Sequence, residues 1–559
     1  MQTLSLDPHP ITMNPASRRQ LALLALALGA AALTAFGWHL FWFLTDDAFI
    51  AFRYVSNLLH GWGLVWNPLP FVPVEGYTSF LWVVLLALVW AVTGVAPPES
   101  ANWLSLLFGY GTLLQVFRIV GRMPLPEAFR RHRLTLLALA LLGTVTNRTF
   151  LTWLSSGLET SLFNFLVTSW VFYALVAEPG RSPAWIAKTS VVSALLALTR
   201  PDGLLFCAGA ALLVGPRLLR DRFRPRSALL ALLPLSLVPL HLIWRRLTYG
   251  VWLPNTYYAK VVGAWPASGA RYLASFVIEN GLWVWILLVL LALARDGRRL
   301  RSLALAPLVV CGTLAAQAGY YTFVVGGDHF EYRVYSHLVP FFFVSAVWLS
   351  ARGLRRPAAA IGAMALFVLA SWPIPWVHWY ATRDLNARQQ THLLVAPIAQ
   401  RFPGPLRWPV ERWDALQAWL IGHAVCLRHQ EHKVFYEFMR DRLPSREQGA
   451  KIRWSDRAVM QAGNIGVLGW VLPEVAIIDA SGLTDRIIAR TPIDGARERH
   501  MAHDRSPPEG YVECFSPNAR IEAGTLVFHA RPLSDEAIEA CEALGWLRIR
   551  EAQGTIAQP

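Results

Sequence analysis

Asp46 and Asp47 stand side by side directly after an apolar run, residues 21–43, that carries no acid or base. At ~1.5 Å of rise per residue this run covers a hydrocarbon core of about 30 Å as a helix. Two adjacent carboxylates where a membrane helix meets water are costly to place there, and such a site suits a general base. If 46–60 is helical, Asp46, Ile50 and Arg53 share one face, and Asp47 and Tyr54 the next. The alternative for Asp46, a self-contained ion pair with Arg53, is the weaker reading, since ionisable residues at a membrane default to function. Gly61-Trp62-Gly63 ends the helix, Pro68, Pro70 and Pro73 keep the chain extended, and Glu75-Gly76-Tyr77 brings a third acid back.

Four further polar blocks interrupt apolar sequence. Glu159 lies in Ser156-Gly157-Leu158-Glu159-Thr160, where it fits a helix start and a binding site equally well. Arg200 and Asp202 flank Pro201 in a tight turn, and pairing with each other is their simpler reading. Lys260 ends Leu253-Pro254-Asn255-Thr256-Tyr257-Tyr258-Ala259-Lys260; a cation beside Tyr257 and Tyr258 at headgroup level suits a lipid-borne phosphate, or an interfacial anchor. Gly326-Gly327-Asp328-His329-Phe330-Glu331-Tyr332-Arg333 joins flexible backbone to an acid, a titratable ring and a bidentate phosphate binder, Arg333.

The elements that must position these residues are membrane helices. The 559 residues are 55% hydrophobic and 16% charged, outside the range of an ordinary soluble chain of this length. The apolar runs lie mostly within 21–378, and the chain becomes charged from Tyr380. We therefore read a helical polytopic membrane domain, 1–379, followed by a soluble α/β domain, 380–559. The net charge of +15 sits mostly in arginine clusters between apolar runs, as orientation signals do, so a nucleic-acid partner is rejected. The first run is too long for a cleaved signal and reads as a retained anchor.

Arg18 and Arg19 place the start of the chain in the cytoplasm. The Arg-rich segments 122–133, 181–188, 217–226, 295–301 and 352–356 belong on the same side. Alternation then works only if the short run 79–96 lies along the interface or dips in. Spans are expected near 102–119, 134–152, 160–177, 184–200, 203–217, 227–247, 281–295, 303–325, 335–351 and 358–378, about eleven with the first. All the polar blocks then collect on the outer face of a cell membrane, with the tail. Cys207 and Cys311 fall in apolar runs. In an exported tail Cys514 and Cys541 can pair, but Cys426 makes three, and spacing alone does not decide the connectivity. No P-loop, GxGxxG, HExxH or Cys/His metal spacing is present.

The block DDAFIAFRYVSNLLHGWGLVWNP…VEGYTSFLW, with SGLET, LTRPDG, PNTYYAK, GGDHFEYR, GNIGVLGW and IIDASGLTDRIIA, resembles the AftB-like arabinofuranosyltransferases, membrane glycosyltransferases of the GT-C class. The resemblance covers most of the chain. It implies a GT-C fold and a polyprenyl-phosphate-linked sugar, decaprenyl- or undecaprenyl-phospho-arabinofuranose, as donor on the periplasmic side of the inner membrane. It also implies anomeric inversion and a glycan or glycoprotein acceptor. Asp46 or Asp47 becomes the catalytic base, with Asp46 favoured. Without the family, the same logic makes Lys260, Arg333 or Arg200 the donor-phosphate ligand, neutralising the departing phosphate. Arg53, Tyr54, Glu75, Tyr77, Glu159, Tyr257, Tyr258, Asp328 and His329 become substrate-binding residues. No metal is required, though the carboxylates can hold a divalent ion. In the tail, strand-like runs at 475–479 and 525–529 alternate with helical stretches at 411–443 and 534–545, and Asp479 and Asp485 read as structural. The competing readings are a same-class transferase for a mannosyl or aminoarabinosyl lipid, a transporter of lipid-linked sugars, and a non-catalytic envelope scaffold.

Overall fold

A computed structural model describes residues 14–177, 182–220, 224–301, 304–393, 398–493, 495, 498–529 and 533–556. Arg181, Asp221–Phe223 and Ser302–Leu303, from or beside the Arg-rich segments, lie outside the described residues.

Among the described residues, seven helices are long and apolar enough to cross a membrane: Ser17–Leu40, Pro97–Arg122, Pro201–Arg220, Pro225–Tyr249, Leu305–Val325, Arg333–Gly353 and Pro357–Thr382. An eighth crossing is made if Pro266–Glu279 and Leu282–Gly297, bent by 88° at their junction, count as one span. The sequence reading placed a single straight span at 281–295 and missed this corner. Its cause is local: Gly281 has φ +63° and packs against the backbone of Ala370. A side chain there would meet that backbone and would also strain the turn. Four shorter apolar helices, Phe80–Thr93, Arg133–Thr146, Thr160–Leu175 and Pro183–Thr199, complete the bundle. Phe80–Thr93, the run expected not to cross, has 14 residues, and at ~1.5 Å per residue these reach only about 21 Å.

The helix Asp46–Leu59 begins where the sequence placed it. The Thr45 hydroxyl accepts a hydrogen bond from the Ala48 N–H at 3.2 Å, and two carboxylates in the first turn complement the helix dipole.

The C-terminal region carries a parallel pair, β1 (Val459–Ala462) and β2 (Ala476–Asp479), and an antiparallel pair, β3 (Ala519–Glu522) and β4 (Thr525–Phe528). A disulfide joins Cys514 to Cys541; Cys207, Cys311 and Cys426 are free. The helix Pro373–Thr382 runs across the boundary drawn at 379/380. Cys426, Ile465 and Met501 of the tail lie in the same buried apolar core as Phe41, Phe52 and Trp153 of the bundle.

The stretch expected as one helix over 411–443 is two, Gly404–Gly422 and His429–Arg442. Ala424 and Cys426 adopt positive φ between them. This break meets the Gly326–Arg333 block. Cys426 N–H donates to the Asp328 carbonyl at 2.9 Å, Leu427 N–H to His329 at 3.0 Å, and Glu331 N–H to Leu427 at 3.1 Å. The residues that interrupt the helix thus form a short ladder that fixes the chain on both sides of Phe330.

Candidate active site

Several of the blocks chosen from sequence open onto one cavity of about 230 Å³. Its polar lining includes Asp47, Tyr77, Glu159, Arg200, Asp202, Tyr257, Lys260, Asp328, His329 and Arg333. Its apolar lining includes Trp82, Val261, Val324 and Val325. The exposed flank of Leu253, Tyr257 and Val324 gives the cavity a greasy edge.

The two adjacent aspartates part company. The Asp46 carboxylate accepts hydrogen bonds from the Gly466 N–H (3.1 Å) and the Val467 N–H (2.8 Å) and does not line the cavity. It holds the start of the helix Gly466–Val471 against Asp46–Leu59. A Cβ at Gly466 would collide with the Asp46 carbonyl, so only glycine permits this approach. Asp47 lines the cavity and has no hydrogen-bond or ion-pair partner among the described residues.

The cations divide similarly. Arg200 donates to Glu159 at 2.6 Å, Asp202 at 3.1 Å and the Tyr321 hydroxyl at 2.5 Å. Arg333 forms a two-pronged pair with Asp328 at 2.8 and 3.3 Å and sits 4.5 Å from the Phe330 ring centre. Lys260 has no carboxylate within ion-pair distance among the described residues. Glu159 occupies the cap position of Thr160–Leu175 but makes no side-chain cap, so its carboxylate is available to Arg200.

His329 is held by a 3.1 Å contact between Nδ1 and the Ala424 carbonyl, which makes Nδ1 the donor and leaves Nε2 an acceptor. Burial, aided by His503, pushes its pKa down to about 4, so the ring is neutral at pH 7.

Four residues expected at the substrate lie behind or beside the cavity. Arg53 does not pair with Asp46. It donates to the carbonyls of Trp66, Gly469, Leu472 and Val475 at 2.8–3.0 Å, tying the tail to the first outer helix. The Tyr54 hydroxyl donates to Val74 (2.6 Å) and accepts from Gly76 N–H (2.7 Å). Glu75 is buried against Arg245 at 2.6 and 3.2 Å. These two brace the Gly76-Tyr77 turn that reaches the cavity. The Tyr258 ring stacks under Arg490, 4.0 Å from its guanidinium carbon, on the far side of its helix. Asp202, Tyr320 and Tyr321 line the cavity and were not chosen as site residues. The tyrosine pair ahead of Gly326-Gly327, separated from it by four residues, was the available signal. Asp479 accepts from the Ser481 and Thr484 N–H groups, and Asp485 from those of Ile487 and Ile488. These bonds shape the turn whose Leu483 closes one side of the cavity. Among the described residues no group of three or more His, Cys, Asp or Glu is arranged to hold a metal ion.

Burial raises both Asp46 and Asp479 to about 6. An acid with a raised folded-state pKa binds its proton more tightly folded than unfolded, so its contribution is present near pH 4 and is lost as pH rises through 6. Each can contribute up to roughly 2–3 kcal/mol. The expected result is a higher melting temperature at pH 5 than at pH 7.5. Asp46→Asn should flatten that slope; an unchanged slope would contradict the assignment.

Fold and cavity define a polytopic membrane protein with an acid-and-arginine pocket at one end of its helices. No family model matches the chain. A terminal β-(1→2)-arabinofuranosyltransferase of Corynebacterium glutamicum is 31% identical over 357 residues, 57% of this chain and 49% of the relative. Its counterpart in Mycobacterium tuberculosis is 30% identical over 270 residues, 46% of this chain and 42% of the relative. The chain thus spans about half the length of the curated relatives it matches, and the resemblance read from its motifs is borne out. Among solved structures, ArnT from Cupriavidus metallidurans bound to undecaprenyl phosphate aligns with a TM-score of 0.48 at 13% identity, covering 84% of this chain and 87% of that one. The apo form aligns at 0.42.

Proposed function

We propose that this chain is a GT-C glycosyltransferase that moves a sugar, D-arabinofuranose on the strength of its sequence relatives, from a polyprenyl-phosphate carrier to an envelope glycan or glycoprotein. The observation that carries this reading is that the carboxylate of Asp47 and the ammonium of Lys260, neither with an ion-pair partner among the described residues, share one cavity.

In this scheme Asp47 takes the proton of the acceptor hydroxyl as its oxygen attacks the anomeric carbon. The bond from that carbon to the phosphate oxygen breaks, the phosphate leaves with the electron pair, and the configuration inverts. Lys260 and the terminal nitrogen of Arg333 not spent on Asp328 meet the charge that develops on the phosphate. Arg200, clamped by Glu159, Asp202 and Tyr321, fixes the part of the wall that it lines. The greasy flank at Leu253, Tyr257 and Val324 gives the polyprenyl tail a side open to lipid.

Charge supports an orientation. The helix Pro201–Arg220 has Asp202 at one end and Arg217 and Arg220 at the other, and Arg333–Gly353 has Arg333 at one end and Arg352 at the other. Arginines remote from the cavity favour the cytoplasm, which supports a periplasmic cavity.

The direct test incubates the purified full chain with synthetic polyprenyl-phospho-arabinofuranose and candidate acceptors. Turnover with a hexosyl donor alone would move the assignment to another lipid-linked sugar, and no turnover with any such donor would overturn it. Lys260→Met is expected to raise the donor KM by about 10–100-fold, the worth of one charge-assisted hydrogen bond, read from initial rates at varied donor.

A further inference from the structure

A second basic pocket lies beside the first and serves no step of the proposed transfer. It is a cavity of about 490 Å³ where the last described helix, Asp535–Ile556, passes the short helix Asn255–Lys260. Trp546, Ile549, Arg550 and Gln553, spaced to share one helix face, form one wall. Tyr257 and Tyr258 form another, and Arg490 and Arg505 close it.

Three guanidinium groups therefore border one cavity whose lining contains no carboxylate. None of the three has an ion-pair partner among the described residues. The nearby acids are engaged elsewhere: Asp504 lies 3.6 Å from Arg499, Glu551 3.0 Å from Arg548, and Glu542 accepts from the Val72 N–H at 3.0 Å. The bonds of Arg490 and Arg505 go to neutral partners only, Tyr258 among those of Arg490. Arg490 donates to the Asn255 side chain and the Arg486 carbonyl, and Arg505 to the carbonyls of Thr491 and Tyr258. The Arg505 Nε is buried with no hydrogen-bond partner. Like charges gathered this way repel unless an anion joins them, and arginine's planar fork fits phosphate oxygens.

The surroundings place this pocket at the membrane surface. Trp252 and Leu253, which lead into the tyrosine helix from the end of the span Pro225–Tyr249, are exposed, as are Tyr257 and Leu547. Exposed Trp and Tyr beside a span end mark headgroup depth.

We propose that the Arg490–Arg505–Arg550 pocket binds the phosphate of an anionic membrane phospholipid. Its acyl chains would lie against the exposed apolar residues of the neighbouring span end. Tyr257 and Val261 line both cavities, so a lipid seated here abuts the wall of the larger one and braces the helix that carries Lys260.

The test uses the full chain in nanodiscs of phosphatidylcholine containing a minor fraction of phosphatidylglycerol, followed by extraction and quantification of the lipid that stays bound. No sugar donor is present, so the outcome is independent of the transferase reading. The chain should retain phosphatidylglycerol in preference to phosphatidylcholine. Arg550→Gln, at an exposed side chain with no hydrogen-bond partner among the described residues, should lower that retention several-fold without affecting folding. The triple variant R490Q/R505Q/R550Q should lower it about tenfold or more, given the attraction of each juxtamembrane arginine for an anionic surface. Equal retention in the chain and in Arg550→Gln would overturn the proposal. So would binding of inorganic phosphate with no preference between the two lipids, which would make the pocket a free-anion site.

Discussion

Asp47→Asn should reduce sugar transfer by about 10²–10⁴-fold, the range of a lost general base, and leave the melting temperature nearly unchanged. Its carboxylate opens onto the cavity and has no hydrogen-bond or ion-pair partner among the described residues, so an amide of the same shape removes proton affinity and little else. The neighbouring substitution should give the opposite result. Asp46→Asn puts an amide N–H₂ where two backbone N–H groups, those of Gly466 and Val467, now find acceptors. A donor facing a donor leaves one group unsatisfied, a cost of about 1–3 kcal/mol. That loss should appear in thermal unfolding of the purified protein, with transfer activity recovered in whatever fraction stays folded. The pair of variants thus separates chemistry from scaffolding at adjacent residues. Full activity in Asp47→Asn, or a loss in Asp46→Asn that exceeds it, would reverse the assignment made here.

The preference for Asp46 from sequence shows where one-dimensional reading ends. The helix, its start and the value of two acids in its first turn follow from residues 44–60. What distinguishes Asp46 from Asp47 is a pair of N–H groups more than four hundred positions away, which no local pattern encodes. The same applies to Arg53, whose periodicity suggested Asp46 as a partner. Its guanidinium instead gathers three carbonyls from the segment 469–475, because a buried arginine with no acid nearby must satisfy its donors on backbone. Glu75 reads as a third acid at the substrate until Arg245, on the span Pro225–Tyr249, is seen to neutralise it. By contrast Glu159, Arg200, Lys260, Asp328, His329 and Arg333 were legible because each stands at the end of an apolar run. Chain connectivity then brings run ends to a common level whatever the packing details. The corner at Gly281 and the break at His423–Arg428 were not legible, since both depend on neighbours that fold against them.

Arg428→Met should cost about 3–5 kcal/mol, the penalty for stripping one partner from a buried ion cluster. Arg148, Glu279, Glu331 and Arg428 form a closed set of two acids and two bases, all at most 3% exposed. Arg428 meets Glu279 at 2.8 Å and Glu331 at 3.2 Å, and Arg148 meets Glu331 at 3.0 Å and Glu279 at 3.9 Å. The Trp413 indole donates to Glu279 at 2.9 Å, and the His429 N–H to Glu331 at 2.8 Å. Without Arg428 the cluster holds two carboxylates against one guanidinium in a site water does not reach. Arg428→Lys should restore little, because one ammonium cannot span two carboxylates as a planar fork does. The double variant Arg428→Met with Glu279→Gln, which rebalances the charge, should recover part of the loss. The consequence extends to the cavity, since Glu331 is two residues from Arg333 and three from Asp328, and the ladder on Leu427 holds that stretch in place. Donor binding should therefore weaken in Arg428→Met protein that remains folded at low temperature, and thermal unfolding together with donor KM measures both effects. A melting temperature equal to that of the unmodified chain would mean that these four charges do not act as one unit.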